Sequence, residues 1–147
     1  MNESDNNEQG KKKVNEVKTF SVPLALEPNN ENVAIDATSS TKPTKEQIIS
    51  QAIQFHAEGN ISEARKYYQY FLDQGFSDPT VFSNYGIILK DIGKLKEAEV
   101  SIRKAIKLNP NFADAYINLG CLLKDTGKLK EAEISVRKAI EIKPEFA

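Results

Sequence analysis

The chain has 147 residues with 20 Lys and Arg against 21 Asp and Glu, and a formal charge of −1 creates no long-range field for nucleic acid or a membrane surface. A single cysteine and a single histidine exclude an internal disulfide framework and a thiolate or imidazole metal cluster. No apolar run approaches a membrane span, and Met1-Asn2-Glu3-Ser4-Asp5 is the opposite of a secretory signal, so a soluble, cytoplasmic chain is expected.

Residues 1–43 are rich in Asn, Glu, Ser, Lys and Thr, and carry seven acidic and five basic side chains. Such a segment cannot bury enough apolar surface to offset the entropy of ordering, and a disordered tail is predicted. Within it Phe20, Val22, Leu24 and Leu26 gather around Pro23, which argues against a helix there. The stretch reads either as a loose apolar patch or as a short linear motif that docks as an extended strand. Lys11-Lys12-Lys13 is too short to specify a nucleic-acid contact.

From Thr44 the character changes. Thr44-Lys45-Glu46-Gln47 is a capping box with Pro43 just outside it, and opens a helix that carries Ile48, Ala52 and Phe55 on one stripe. Gly59 interrupts the stripe, Asn60-Ile61-Ser62-Glu63 offers a second cap, and Ala64 and Tyr68 begin the next apolar face. Asp78-Pro79 then restarts the pattern, with Asp78 as N-cap and Pro79 at the first helical position.

Pro79 to Phe112 is written again as Ala113 to Phe146: aligned without a gap, the two 34-residue stretches agree at 19 positions. A fixed period of this size marks a solenoid, in which each unit buries its apolar face on its neighbours. Phe82, Tyr85, Gly86 and Leu89 fall at i, i+3, i+4 and i+7, as do Tyr116, Leu119, Gly120 and Leu123. Gly93 and Gly127 stand where a helix ends; Ala98, Ile102, Ala105 and Ile106 then repeat an i, i+4, i+7, i+8 spacing, matched by Ala132, Val136, Ala139 and Ile140. Pro110 and Pro144 close the units.

This order of aromatic, Tyr-Gly or Leu-Gly, Leu, Ala, aliphatic, Ala and Pro resembles the tetratricopeptide repeat (TPR), whose period is also 34 residues. The resemblance implies an all-α, right-handed solenoid of three helix-turn-helix repeats, 45–78, 79–112 and 113–146, in a unit spanning 44–147. Ile102 and Val136 replace an aromatic, so a smaller core is expected beside them. Gln51, Phe71 and Phe76 depart from the pattern in the first repeat, as suits a terminal unit with neighbours on one side.

The residues carry no catalytic constellation, no glycine-rich phosphate loop and no metal-ligand spacing, so neither an active site nor a cofactor is expected. His56 is expected on an exposed helix face, and Cys121, at the position of Ile53 and Ile87, as a half-buried packing residue. In TPR arrays the first helix of each pair lines a concave groove, which puts Thr80, Asn84 and Lys90, then Asp114, Asn118 and Lys124, in reach of a ligand. Asn84 and Asn118 share one position and resemble an asparagine ladder that holds a peptide backbone, since an amide both donates and accepts; Ser50 ends the ladder in the first repeat. Lys90 and Lys124 offer a cation to an acidic tail, weakened by Asp91 and Asp125 beside them. The implied function is non-catalytic binding of a protein or peptide, with no nucleic-acid or membrane partner. Two other readings stay open: a substrate-recruiting region of a larger enzyme, such as an O-linked N-acetylglucosamine transferase or a sulfotransferase, and a module that self-associates through an uncapped last repeat exposing Ile134, Ile140 and Ile142.

Overall fold

The structure, a computed structural model, describes residues 41–147; the tail and its Phe20 to Leu26 stretch lie outside the described residues. Six helices follow in order: α1 Lys45–Ala57, α2 Ile61–Asp73, α3 Pro79–Asp91, α4 Leu95–Leu108, α5 Ala113–Asp125 and α6 Leu129–Ile142, with a 3-10 turn at Pro144–Phe146. They pair as α1/α2, α3/α4 and α5/α6 in a right-handed TPR solenoid. Among the described residues no helix is long and apolar enough to cross a membrane.

The local signals explain where these helices begin and end. Thr44 and Gln47 form the reciprocal capping box at α1, and Asn60 caps α2 by accepting from the Glu63 N–H. Asp78 accepts from the N–H groups of Thr80 and Val81 at 2.8 and 3.2 Å, with Pro79 supplying a fixed φ where a donor is not needed. At the other end of α3, Gly93 takes φ +82°, and the Lys94 N–H reaches back to the Leu89 carbonyl at 2.8 Å. That six-to-one bond closes the helix and needs the left-handed conformation glycine tolerates. Gly127 does the same for α5.

Packing runs the length of the array. Ile48, Ala52, Ala64, Tyr68 and Phe71 of the first pair are buried against Val81 and Ile88 of α3. Phe82, Leu89, Ala98 and Ile102 are buried against Ala115, Leu119 and Leu122 of α5. Tyr85 and Leu72 touch both clusters, so the core is continuous from one repeat to the next. The expected small core beside Ile102 takes a specific form: a Cβ built on Gly86 would lie 2.5 Å from Ile102 Cγ1, and the missing side chain lets α3 and α4 close together.

Polar ties fix the register. Ser101 Oγ donates to the Phe82 carbonyl at 2.7 Å within the second pair, and Tyr85 donates its hydroxyl proton to Gln69 Oε1 between the first and second. Arg103 bridges Glu99 and Glu131 at 2.8 and 3.3 Å, while Lys128 reaches Glu99 at 3.1 Å, joining α4 to α6. These cations hold the Glu99 carboxyl below its ordinary range, Arg103 through its hydrogen bond most of all, against an opposing effect of burial.

Candidate functional site

The first helices of the pairs, α1, α3 and α5, form one layer, and two contacts pin α3 to α5 within it. Asn118 Nδ2 donates to Ser83 Oγ at 3.0 Å, and Lys90 Nζ lies 3.7 Å from Asp125 Oδ2. Ser83, Ile87 and Lys90 are spaced i, i+4, i+7, so the two contacts bracket Ile87 on the same face of α3. On α5 the same spacing places Cys121 between Ile117 and Lys124, and on α1 it places Ile53 between Ile49 and His56.

The sequence-predicted residues sit on this layer in unequal circumstances. Asn84 and Asn118 are both half-buried, but Asn84 Nδ2 donates to Tyr68 Oη at 3.2 Å, whereas Asn118 donates to Ser83. One N–H of each amide is therefore spent inside the fold; the carbonyl oxygen and the second N–H remain for a ligand. Burial raises the Tyr68 phenol pKa and the Asn84 hydrogen bond pulls it the other way, so the group is a neutral part of the frame. Lys90 is largely neutralised by Asp125, while Lys124, at the same position one repeat on, is exposed without an ion partner among the described residues. Thr80 is half-buried and gives its backbone N–H to the Asp78 cap, and Asp114 is exposed in the first turn of α5. The structure brings Asn118, Ser83, Lys90 and Asp125 together, and joins Thr80 and Asp114 to none of them.

Two expectations are corrected. Cys121 is exposed, as Ile53 is at the same position of α1, because the position lies on the open side of the first helices. His56 is half-buried, its ring meeting Tyr68 edge-on at 6.1 Å between centroids, because the tyrosine of α2 rises beside the end of α1. Sequence reasoning also missed the main apolar feature. Ile53, Ile87 and Cys121, one per repeat, form a row in which Ile53 is 39% exposed, Cys121 is exposed and Ile87 is half-buried between them. The signal was available, since the three share one position at a spacing of 34 residues.

With that geometry in view, comparison with known proteins is informative. The family profile described as the cilia and flagella-associated protein 70 middle TPR-like domain matches residues 50–147. The chain is similar to the crystal structure of MamA, with 24% identity and a TM-score of 0.65, over 69% of this chain and 60% of that one. It is similar to the TPR2B domain of yeast Sti1 in its complex with pHsp70, at 22% identity and TM-score 0.63, over 69% and 81%. It is also similar to the second TPR of Spaghetti (RPAP3) bound to an HSP90 peptide, at 24% identity and TM-score 0.61, over 67% and 94%. At these identities the likeness shows the fold. The chain spans 60% of the length of the MamA structure it matches, and the comparison with curated proteins gave no match.

Proposed function

We propose a binding function for this chain, which belongs to the family of the middle TPR-like domain of cilia and flagella-associated protein 70. It is a non-catalytic module that takes a short extended segment of a partner protein along the α1, α3 and α5 layer. The observation that carries this reading is the apolar row of exposed Ile53, half-buried Ile87 and exposed Cys121, with half-buried Asn84 and Asn118 beside it. An extended chain offers backbone groups to the amides and alternate side chains to the row, a division of labour general to extended-peptide recognition. The Sti1 and Spaghetti domains, each seen with a peptide or protein partner, support the reading by fold. Lys124 is the cation best placed for an acidic residue of the ligand, since Lys90 is already paired. Affinity comes from a surface held in place by its own core, so that ligand ordering is the main entropic cost.

The test is selection of random peptides on the full chain, followed by binding to variants. Ile87→Asp is expected to weaken the selected peptides at least about tenfold, or about 1.4 kcal/mol, and Lys96→Asp on the exposed side of α4 to leave them unchanged. Ile87 is the better probe because Asn84→Ala also removes the donor to buried Tyr68 and so disturbs the frame. Peptides that bind Ile87→Asp as well as the parent would refute the assignment.

A further inference from the structure

The row of Ile53, Ile87 and Cys121 crosses the first helices of all three pairs, so it is a property of the whole layer and not of either end. Packed helices lie about 8–10 Å apart, which makes the row about 16–20 Å long. Its two ends differ in chemistry. Ile49 and His56 flank Ile53 on α1, whereas Cys121 on α5 is followed one turn later by Lys124, exposed and without an ion partner among the described residues. An occupant that fits is therefore extended, apolar along about 20 Å and acidic at the α5 end.

One stretch of this chain has that pattern. Phe20, Val22, Leu24 and Leu26 alternate with Ser21, Pro23 and Ala25, so an extended backbone puts the four large side chains on one side. Pro23 fixes its own φ and biases Val22 away from the helical region, which favours that extended form. Six steps of about 3.3 Å carry Phe20 to Leu26 across about 20 Å, the length of the row. Glu27 comes next, and with Phe20 over Ile53 and Leu26 over Cys121 it brings its carboxylate to Lys124. The connection fits as well. Residues 27–43, 17 in number, join the stretch to Thr44 at the start of α1. A coil of that length has an r.m.s. end-to-end distance of about 21–25 Å. The path from Cys121 back to Thr44, two helix spacings across and about 13 Å along a helix, is about 21–24 Å.

We infer that Phe20 to Leu26 docks in cis on the row of Ile53, Ile87 and Cys121, so that the chain carries a competitor for its own binding site. The inference rests on the reading of that row as a site for an extended segment, and it names the chemistry of the ligand: large apolar residues at every second position, followed by a carboxylate. A tether whose length matches its span gives an effective concentration on the order of 1 mM. A segment that binds in trans with a dissociation constant of about 100 μM then fills the row about nine-tenths of the time and weakens a partner peptide about tenfold.

Cys121 is the chain's one cysteine and lies in the row, so its rate of reaction with N-ethylmaleimide in the full chain reports whether the row is covered. Phe20→Ser with Leu24→Ser changes no charge and leaves residues 44–147 as they are. It is expected to speed the reaction about tenfold, with equal rates in urea, and to tighten the selected peptides about tenfold. Ile53→Ser, at the far end of the row from Cys121, should speed the reaction at least about threefold, which cover of Cys121 alone would not produce. Equal rates in the parent and the Phe20→Ser, Leu24→Ser variant, or indifference to Ile53→Ser, would overturn the inference; peptides that still bind the parent and lose Ile87→Asp would then leave the binding reading standing alone. Tail-dependent protection with no peptide bound by either form would support the cis contact and refute the partner reading instead. Protection that deepens between about 5 and 200 μM protein would overturn the inference in favour of a neighbouring copy's tail.

Discussion

Gly86 and Gly120 occupy one position in two nearly identical repeats, yet replacing them with alanine is expected to have different consequences. In an isolated helix either change is favourable, because alanine exceeds glycine in helix propensity by about 1 kcal/mol. Packing decides the rest. A Cβ at Gly86 lies 2.5 Å from Ile102 Cγ1 and 3.2 Å from the Ala98 carbonyl oxygen. Ile102 is fully buried, and the clash is with the middle of its side chain, which cannot yield without moving α4. Overpacking of that kind costs about 1–3 kcal/mol, so Gly86→Ala is expected to destabilise the array by up to about 2 kcal/mol after the propensity gain. At Gly120 the near atom is Val136 Cγ2 at 2.7 Å, on a partly exposed side chain that can turn outward, and the two effects cancel to within about 0.5 kcal/mol. Urea unfolding followed by circular dichroism measures both, and a cycle with Ile102→Ala isolates the clash, which should show coupling of about 1 kcal/mol or more. Equal effects at the two glycines, or no coupling to Ile102, would refute the close-approach argument.

Gln51 is buried with its Oε1 unpartnered, so Gln51→Leu, which installs the residue found at Leu119, is expected to raise stability by about 1–2 kcal/mol in the same urea assay; no gain would mean the oxygen is hydrogen-bonded in solution. Ser101→Ala removes the buried bond to the Phe82 carbonyl and should cost about 1–2 kcal/mol, whereas Tyr85→Phe, losing a half-buried bond to Gln69, should cost about 1 kcal/mol or less. Arg103 and Lys128 depress the folded pKa of Glu99 below the ordinary carboxylate range, so its contribution is complete above the unfolded pKa and is lost as pH falls through the folded pKa. Thermal melts from pH 6 to pH 3 should show a smaller acid-induced loss in Glu99→Gln, by about 0.2–1 kcal/mol, the size of a partly exposed ion pair; identical profiles would remove the pair from the stability balance.

The helices were legible because their signals are local. The Thr44 capping box, the Asp78-Pro79 start and the left-handed Gly93 and Gly127 act within a few residues, and each is where the chain turns. The core followed from the 34-residue period, since residues that recur at one register meet the same neighbours. What the sequence hid is set by neighbours that differ between copies. Asn84 and Asn118 looked alike but donate to a tyrosine of α2 and a serine of α3, because the position of Tyr68 is taken by apolar Ile102 one repeat on. Cys121 looked like a packing residue by analogy with Ile53 and Ile87, but the position is exposed in α1 as well as in α5. The apolar row shows only when Ile53, Ile87 and Cys121 are set side by side at their 34-residue spacing, since Ile87 itself is half-buried.

A duplicated sequence thus yields three different surfaces from one pattern. Between the second and third pairs, identical registers put Arg103 on Glu131 and Lys128 on Glu99, and the interface is closed. At the front, Gln47, Gln51 and Gln54 stand where α3 and α5 carry their apolar stripe, and the central one, Gln51, is nevertheless buried. At the back, Arg137 and Glu133 can only pair with each other along α6, at 2.7 Å and largely in solvent, where such a pair contributes little. Leu129 and Val136 are 64% and 36% exposed where their counterparts Leu95 and Ile102 are 36% and 1%, so the surface of a repeat is decided by its neighbour as much as by its own residues.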